Sequence, residues 1–262
     1  MPSYITCSIS NAYRILISHF NQFFFLGCFI ELVCKIKYLL LSYYVYFIME
    51  LDKNSRISWF TNDSYPYGLS YGEWTVKWWQ WILSTPKSSN PLIDQSGENA
   101  AINQPTEHVW FLAGRLGMED KNFPSRNCNV PAGRSILFPV INCEANPIEY
   151  PELKTKESLI DHVVKDENTI VEKICTLNGM PIDVQRVKSD PEIFEVNLHS
   201  DNIFNVNGGN TKATGDGYWV FLESLPEGEY DLSFRGSCEN GRLCSGANYR
   251  LIIQNNKSLG ID

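Results

Sequence analysis

Near the C-terminus, bulky side chains recur at every second position. Tyr230, Leu232 and Phe234 alternate with Glu229, Asp231, Ser233 and Arg235, and Tyr218, Val220, Leu222 and Tyr249, Leu251, Ile253 keep the same period on either side. A period of two belongs to an extended chain, whose successive side chains point to opposite faces. The polar set in the middle run marks a strand with one wet face, the usual state of an antiparallel sheet. Pro226-Glu227-Gly228 supplies a turn between the first two runs. Strands at this spacing, separated by proline and glycine, predict a mainly β domain, an antiparallel β-sandwich or jelly-roll-like fold.

One helix interrupts this pattern with a different period. Ser70-Tyr71-Gly72-Glu73 fits a capping box, and Trp74, Trp78, Trp81 and Ile82 then share one face. Val76, Trp79 and Leu83 occupy a second face, leaving Glu73, Lys77 and Gln80 on a narrow polar edge, and Pro86 ends the run. A helix so apolar around its circumference is expected to be buried on two sides. A shorter helix is expected over Glu157 to Lys165. His108 to Gly114 reads as a central strand, and the runs Asn127–Val130 and Ser135–Ile141 flank Pro131-Ala132-Gly133. Pro139 inside the second run implies a bulge or an edge. Ile170–Leu177, Asn178-Gly179 and Met180–Val184 read as a hairpin with a type I′ turn. Ile193–Leu198 adds a further strand.

Residues 1–48 are a different material: apolar, aromatic, and interrupted by Glu31, Lys35 and Lys37. They read as a start upstream of a true beginning at Met49, as an uncleaved signal anchor, or as a poor membrane helix. The first places the protein in the cytoplasm; the others make it membrane-anchored or exported. Residues 49–69 form a polar lead-in, 70–255 a single β-rich globular, soluble domain, and 256–262 a tail.

The run Trp74-Thr75-Val76-Lys77-Trp78-Trp79-Gln80-Trp81, with Val109–Gly114, Cys128-Asn129-Val130-Pro131-Ala132-Gly133 through Phe138-Pro139-Val140-Ile141-Asn142, and Gly217–Leu222, resembles a family of uncharacterised archaeal and bacterial proteins. The resemblance spans roughly Tyr67 to Ile253. It implies no activity and carries over no catalytic residue.

Charge narrows the partners. The whole chain carries −8, and residues 1–48 hold Arg14, Lys35 and Lys37 against Glu31, so the body alone is more acidic still. An acidic body without a basic stripe is repelled by phosphate backbones, so no nucleic-acid partner is expected. The expected partner is a small molecule, a carbohydrate or a protein, and a membrane only if residues 1–48 are part of the protein. No cofactor and no metal is expected: the chain lacks a Walker loop, a dinucleotide fingerprint, a serine elbow and any local pair of zinc ligands.

What remains are candidates picked by position. His108 opens a strand and His199 follows one, each a conceivable general base, though a histidine at a strand end is more often solvated or locally hydrogen-bonded. Glu144 and Asp216 sit at strand ends, where sites often occur, or where a turn or wet edge explains them as well. Trp79, Trp110 and Trp219 are candidate ligand platforms; the helical spacing around Trp79 favours core packing. Cys128 and Cys143 flank the Pro131–Gly133 turn, and Cys238 and Cys244 enclose Asn240-Gly241, so two disulfides are conceivable beside the alternative of reduced, packed thiols. The expected function is a ligand- or partner-binding module; the alternative is a hydrolase or metal-dependent enzyme of unfamiliar type.

Overall fold

The computed structural model describes residues 35–45, 57–115, 122–239 and 244–255. The chain divides into two compact units, residues 1–55 and 56–262. In the first, residues 35–45 form an exposed helix; the readings offered for residues 1–34 lie outside the described residues. No described helix is long and apolar enough to cross a membrane.

The second unit is mainly β. Its strands are β1 (Val109–Phe111), β2 (Ser125–Pro131), β3 (Ser135–Ala145), β4 (Ile170–Leu177), β5 (Met180–Pro181), β6 (Gln185–Lys188), β7 (Phe194–Leu198), β8 (Gly209–Leu222), β9 (Gly228–Cys238) and β10 (Cys244–Gln254). Two helices, α1 (Tyr71–Ser84) and α2 (Lys156–Glu167), complete it. One sheet has the order β1-β3-β8-β6 with β7 also paired to β8; the other runs β2-β10-β9-β4-β5. Both are mixed: β1–β3 and β2–β10 are parallel, the other pairs antiparallel.

Alternation explains the layering. On β3, Ile136, Phe138 and Val140 join Val220 and Leu222 of β8, Leu232 and Phe234 of β9, and Leu251 and Ile253 of β10 in the core between the sheets. The opposite faces of the same strands, Leu137, Trp219 and Phe221, pack beneath α1 with Trp74, Trp78 and Trp81. A strand covered on both faces reads as a continuous apolar run, which is why β3 does not alternate. The expected capping box of α1 is present: Glu73 N donates to Ser70 Oγ and Ser70 N to Glu73 Oε2.

Several expectations change. The Val109 segment is not central but an edge, paired only with β3 in the sheet order. Gln104 covers its outer side: Phe111 N donates to Gln104 Oε1 and Gln104 Nε2 donates to Phe111 O, so a side-chain amide stands where a further strand would bond. Nor do the segments around Pro131–Gly133 pair with each other. β2 belongs to one sheet and β3 to the other, and the turn carries the chain between them. Pro226–Gly228 does the same between β8 and β9. The described part of the lead-in, residues 57–69, is part of the domain: Trp59 bridges Leu222, and the Phe60 ring meets Phe221 edge-on at 4.9 Å. The Pro139 bulge is present as a register shift between Pro139 and Ile141, and Asn178 and Gly179 both have positive φ, as the hairpin turn requires.

Candidate functional site

The bulge after Pro139 changes what the end of β3 presents. Beyond it, Ile141, Asn142, Cys143 and Glu144 border a cavity of about 390 Å³. Trp78 and Trp79 of α1, Glu149 and Tyr150 of the following loop, Asp166 of α2, and Ile203 and Phe204 contribute the rest of the lining, with Leu92, Arg115 and Ser245. The volume lies in the range of small-molecule sites, roughly 300–1,000 Å³.

Two glycines of β8 let the indoles in. A Cβ at Gly215 would stand 2.5 Å from Trp79 Nε1, and one at Gly217 would stand 2.8 Å from Trp219 Nε1. Trp78, Trp79 and Trp219 pack as edge-to-face pairs, with Trp78 at 4.9 Å from Trp79 and 5.3 Å from Trp219. Trp78 Nε1 donates to Leu112 O. Trp79 Nε1 has no protein acceptor although its residue is buried.

The acidic side of the cavity rests on Asn146, which is fully buried. Its Nδ2 donates to Glu144 Oε1 at 2.9 Å, and its Oδ1 accepts from Ile148 N and Glu149 N. An asparagine caps its own downstream backbone in this way whenever it starts a turn, and Pro147 after it keeps the chain from continuing β3. One side chain therefore fixes two carboxyls. Those carboxyls hydrogen-bond to each other, while Oε2 of each finds no protein donor. A proton between them resolves both facts. Burial pushes Glu144 well above the ordinary carboxylate range, with Glu149 adding to the effect and Asn146 opposing it. Burial also raises Glu149, to about 7, against the pull of the Tyr150 hydroxyl and Glu144. Glu144 thus holds the proton and donates it toward Glu149.

Around this pair the other groups are neutral or paired. Burial, then Glu167, Asp166, Glu144 and Glu149, push the Cys143 thiol far up; it is no thiolate nucleophile. Cys143 Sγ lies 3.8 Å from Asp166 Oδ2. The His162 ring packs on Tyr150 at 4.5 Å between centroids, and its Nε2 is 3.5 Å from Asp166 Oδ2. Among the described residues, no group of three histidine, cysteine or acidic side chains is arranged to hold a metal. Asn142 Nδ2 is a further buried donor without a partner. Four residues of the lining therefore carry polar atoms without a protein partner: Trp79 Nε1, Asn142 Nδ2, and Oε2 of Glu144 and Glu149, whose carboxyls share the proton.

Of the positions singled out in the sequence, Glu144, Trp79 and Cys143 meet here. The others do not. His108 stacks on Tyr67 at 5.0 Å and does not line the cavity. His199 Nδ1 accepts from Asp201 N in an exposed turn. Asp216, on β8 opposite Cys143, is buried in a bidentate pair with Arg186 and also accepts from Gly217 N; a carboxylate so saturated has nothing left for a substrate. Trp110 packs in the core between the sheets, under Arg134, and Trp219 lies beneath α1. Cys128 and Cys143 are free thiols on different sheets, because the turn between them is a crossing and not a hairpin. Cys238 ends β9 and Cys244 opens β10, where Cys244 faces Ser237; the turn joining them lies partly outside the described residues. Glu149, Asn146 and Asn142 were not anticipated. The signal available for two of them was Asn146-Pro147, a turn-initiating pair set between two glutamates at the end of a strand.

The chain matches no family model, no curated protein and no solved structure. Fold and site together define a β-sandwich-like domain with an aromatic, acid-bearing pocket beside its tryptophan helix.

Proposed function

We propose that the protein is a binding module whose pocket takes a small molecule, held by the Glu144–Glu149 pair, Trp79 and Asn142. One observation carries this reading: four polar atoms without protein partners belong to residues that line a single cavity, two of them on side chains that are at least nine-tenths buried. Leaving a buried polar atom unsatisfied costs about 1–3 kcal/mol, and a ligand that satisfies several at once recovers that cost on binding. The apolar lining of Trp78, Leu92, Ile203 and Phe204 supplies contact area. A thermal-shift screen of small polyols, amides, amines and carboxylates tests it. The expected outcome is at least one compound that stabilises the wild type and loses most of its effect on Trp79→Phe, which keeps an aromatic side chain but not the indole N–H. Hits that stabilise Trp79→Phe and Glu144→Gln as well as the wild type, or no hits, reject it.

A hydrolytic reading draws on the same pair. Two carboxyls sharing a proton supply an acid and a base at neutral pH. They touch each other, whereas the acids of a sugar hydrolase stand at least ~5 Å apart, so esters or amides are the substrates to assay. Turnover of a nitrophenyl ester that disappears in Glu149→Gln favours this reading; equal turnover in wild type and variant removes it.

A further inference from the structure

We infer that the pocket selects a small organic cation, a protonated primary amine on a compact apolar body; this rests on the pocket being a ligand site at all. The acceptors come first. Glu144 Oε2 and Glu149 Oε2 both lack a protein donor. An ammonium group carries three N–H donors and no acceptor, so it answers both oxygens at once. A hydroxyl has one hydrogen and leaves one oxygen bare. A carboxylate or phosphate has none and is repelled by the pair.

Charge points the same way. The lining holds Glu144, Glu149 and Asp166 against Arg115, whose Nη1 already donates to Asn122 O. The chain as a whole carries −8, which concentrates cations near it. The aromatic members of the lining, Trp78, Trp79, Tyr150 and Phe204, present faces that attract a cation and pack against an apolar body. Trp79 Nε1 and Asn142 Nδ2 remain to donate to an oxygen elsewhere on the ligand, so an amine that also bears a hydroxyl or carbonyl fits better than a bare alkylamine.

Without such a ligand the proton shared by Glu144 and Glu149 plays the ammonium's part. Binding displaces it to solvent: the N–H donors replace the O–H, and the pair becomes fully anionic. Beside the pair stand Tyr150 and Asn146 on its own loop and Cys143 on β3; Asp166 and Glu167 of α2 act on Cys143, His162 of α2 packs on Tyr150, and Arg115 also lines the cavity. Burial raises Glu149 to about 7 and Glu144 upward as well, so amine affinity rises with pH through neutrality.

Calorimetry of the full chain with 2-phenylethylamine and its neutral counterpart 2-phenylethanol tests this. The expected result is that the amine binds about tenfold or more tightly than the alcohol at pH ~8, a preference that fades by pH ~5.5. Near neutrality the amine's apparent heat varies with the buffer's ionisation heat, reporting the released proton. Glu149→Gln, checked by near-UV circular dichroism, removes the preference for the amine over the alcohol. If that variant does not fold, Glu144→Gln serves, since it also deletes one ionisable carboxyl and lowers the preference. Equal affinity of amine and alcohol at pH ~8, with Trp79→Phe weakening both, overturns the cation and leaves the pocket standing. A preference retained in Glu149→Gln, or no binding of either probe at millimolar concentration, also overturns it. The pocket itself falls only if the broader screen finds no Trp79-dependent compound.

Discussion

Gly215 lies against the edge of the Trp79 indole, so close that a Cβ there would stand 2.5 Å from Nε1. The glycine is required by this contact and not by its backbone, which lies within β8 opposite Glu144. Gly215→Ala must therefore move a tryptophan that is already confined by Trp78 and Trp219. Overpacking of this kind costs about 1–3 kcal/mol. A urea titration of Gly215→Ala is expected to show a lowered midpoint at unchanged slope, with a shifted tryptophan emission. A midpoint equal to the wild type would mean that the indole is not held where the cavity needs it.

Stability is expected to fall as pH rises from about 5 to 9. Glu149 and Glu167 are raised to about 7 and about 9, in both cases by burial first, with Asp216 next for Glu167. Glu144 is raised too. Between the ordinary carboxylate value and these values the folded chain binds more protons than the unfolded one, so unfolding free energy declines with pH. The part due to Glu149 is about 1–3 kcal/mol after allowance for its partial exposure. On the acid side the sign reverses. Burial pushes Asp94 up, but the amides of Asn99, Ser96 and Gly97 and the Arg126 charge hold it below its ordinary value, and that stability disappears as the pH falls through the lowered pKa. Melting temperatures across this range should peak near pH ~5, and Glu167→Gln should flatten the alkaline limb. A profile that rises from pH 5 to 8 contradicts the burial of these acids.

How far residues alone foretold this can be judged at particular positions. The alternation of Tyr230, Leu232 and Phe234, the capping box at Ser70 and the Asn178-Gly179 turn are local signals, and each corresponds to what forms. Which strands pair is not local. The turns after β2 and β8 resemble hairpin turns but carry the chain between sheets, and composition does not distinguish the two. β6, with Gln185, Arg186 and Lys188, has too little apolar periodicity to be noticed, yet it pairs with β8 through its backbone. The site shares this limit. Glu144 is legible as a strand-end acid, but its meaning comes from Glu149, brought back against it by the Asn146 turn. The spacing around Trp79 favours core packing, and it is buried; that its N–H lacks an acceptor is a fact of three-dimensional geometry.

The thiols are expected to be silent in the native state. Burial raises Cys128 and Cys175 to about 12 each, so at pH 8 only about one in ten thousand of either is thiolate. Cys143 is the more informative, because it lines the cavity and its reluctance comes partly from Glu167, Asp166, Glu144 and Glu149. Iodoacetamide labelling mapped by peptide mass spectrometry should find all three unmodified until denaturant is added. Asp166→Asn should speed labelling of Cys143 and leave Cys128 unchanged. Fast alkylation of Cys143 in the wild type would refute the acidic enclosure of the pocket.

Asn146 is the joint on which the carboxyl pair turns, and two substitutions separate its roles. Asn146→Ala removes the donor to Glu144 Oε1 and the acceptor for Ile148 N and Glu149 N together, a loss of about 1–3 kcal/mol. It also releases Glu149 from Glu144, so affinity for any pocket ligand should fall with stability. Asn146→Asp keeps the acceptor for the two amides but sets a third carboxyl against Glu144. Like charges in one buried site force protonation or repulsion. Asn146→Asp should then resemble the wild type near pH 5, where all three acids can be protonated, and lose stability steeply by pH 8. Asn146→Ala should be weakened by a similar amount at both. Parallel urea midpoints for the two variants at the two pH values decide the matter: if Asn146→Asp shows no excess pH dependence, Glu144 does not hold the shared proton.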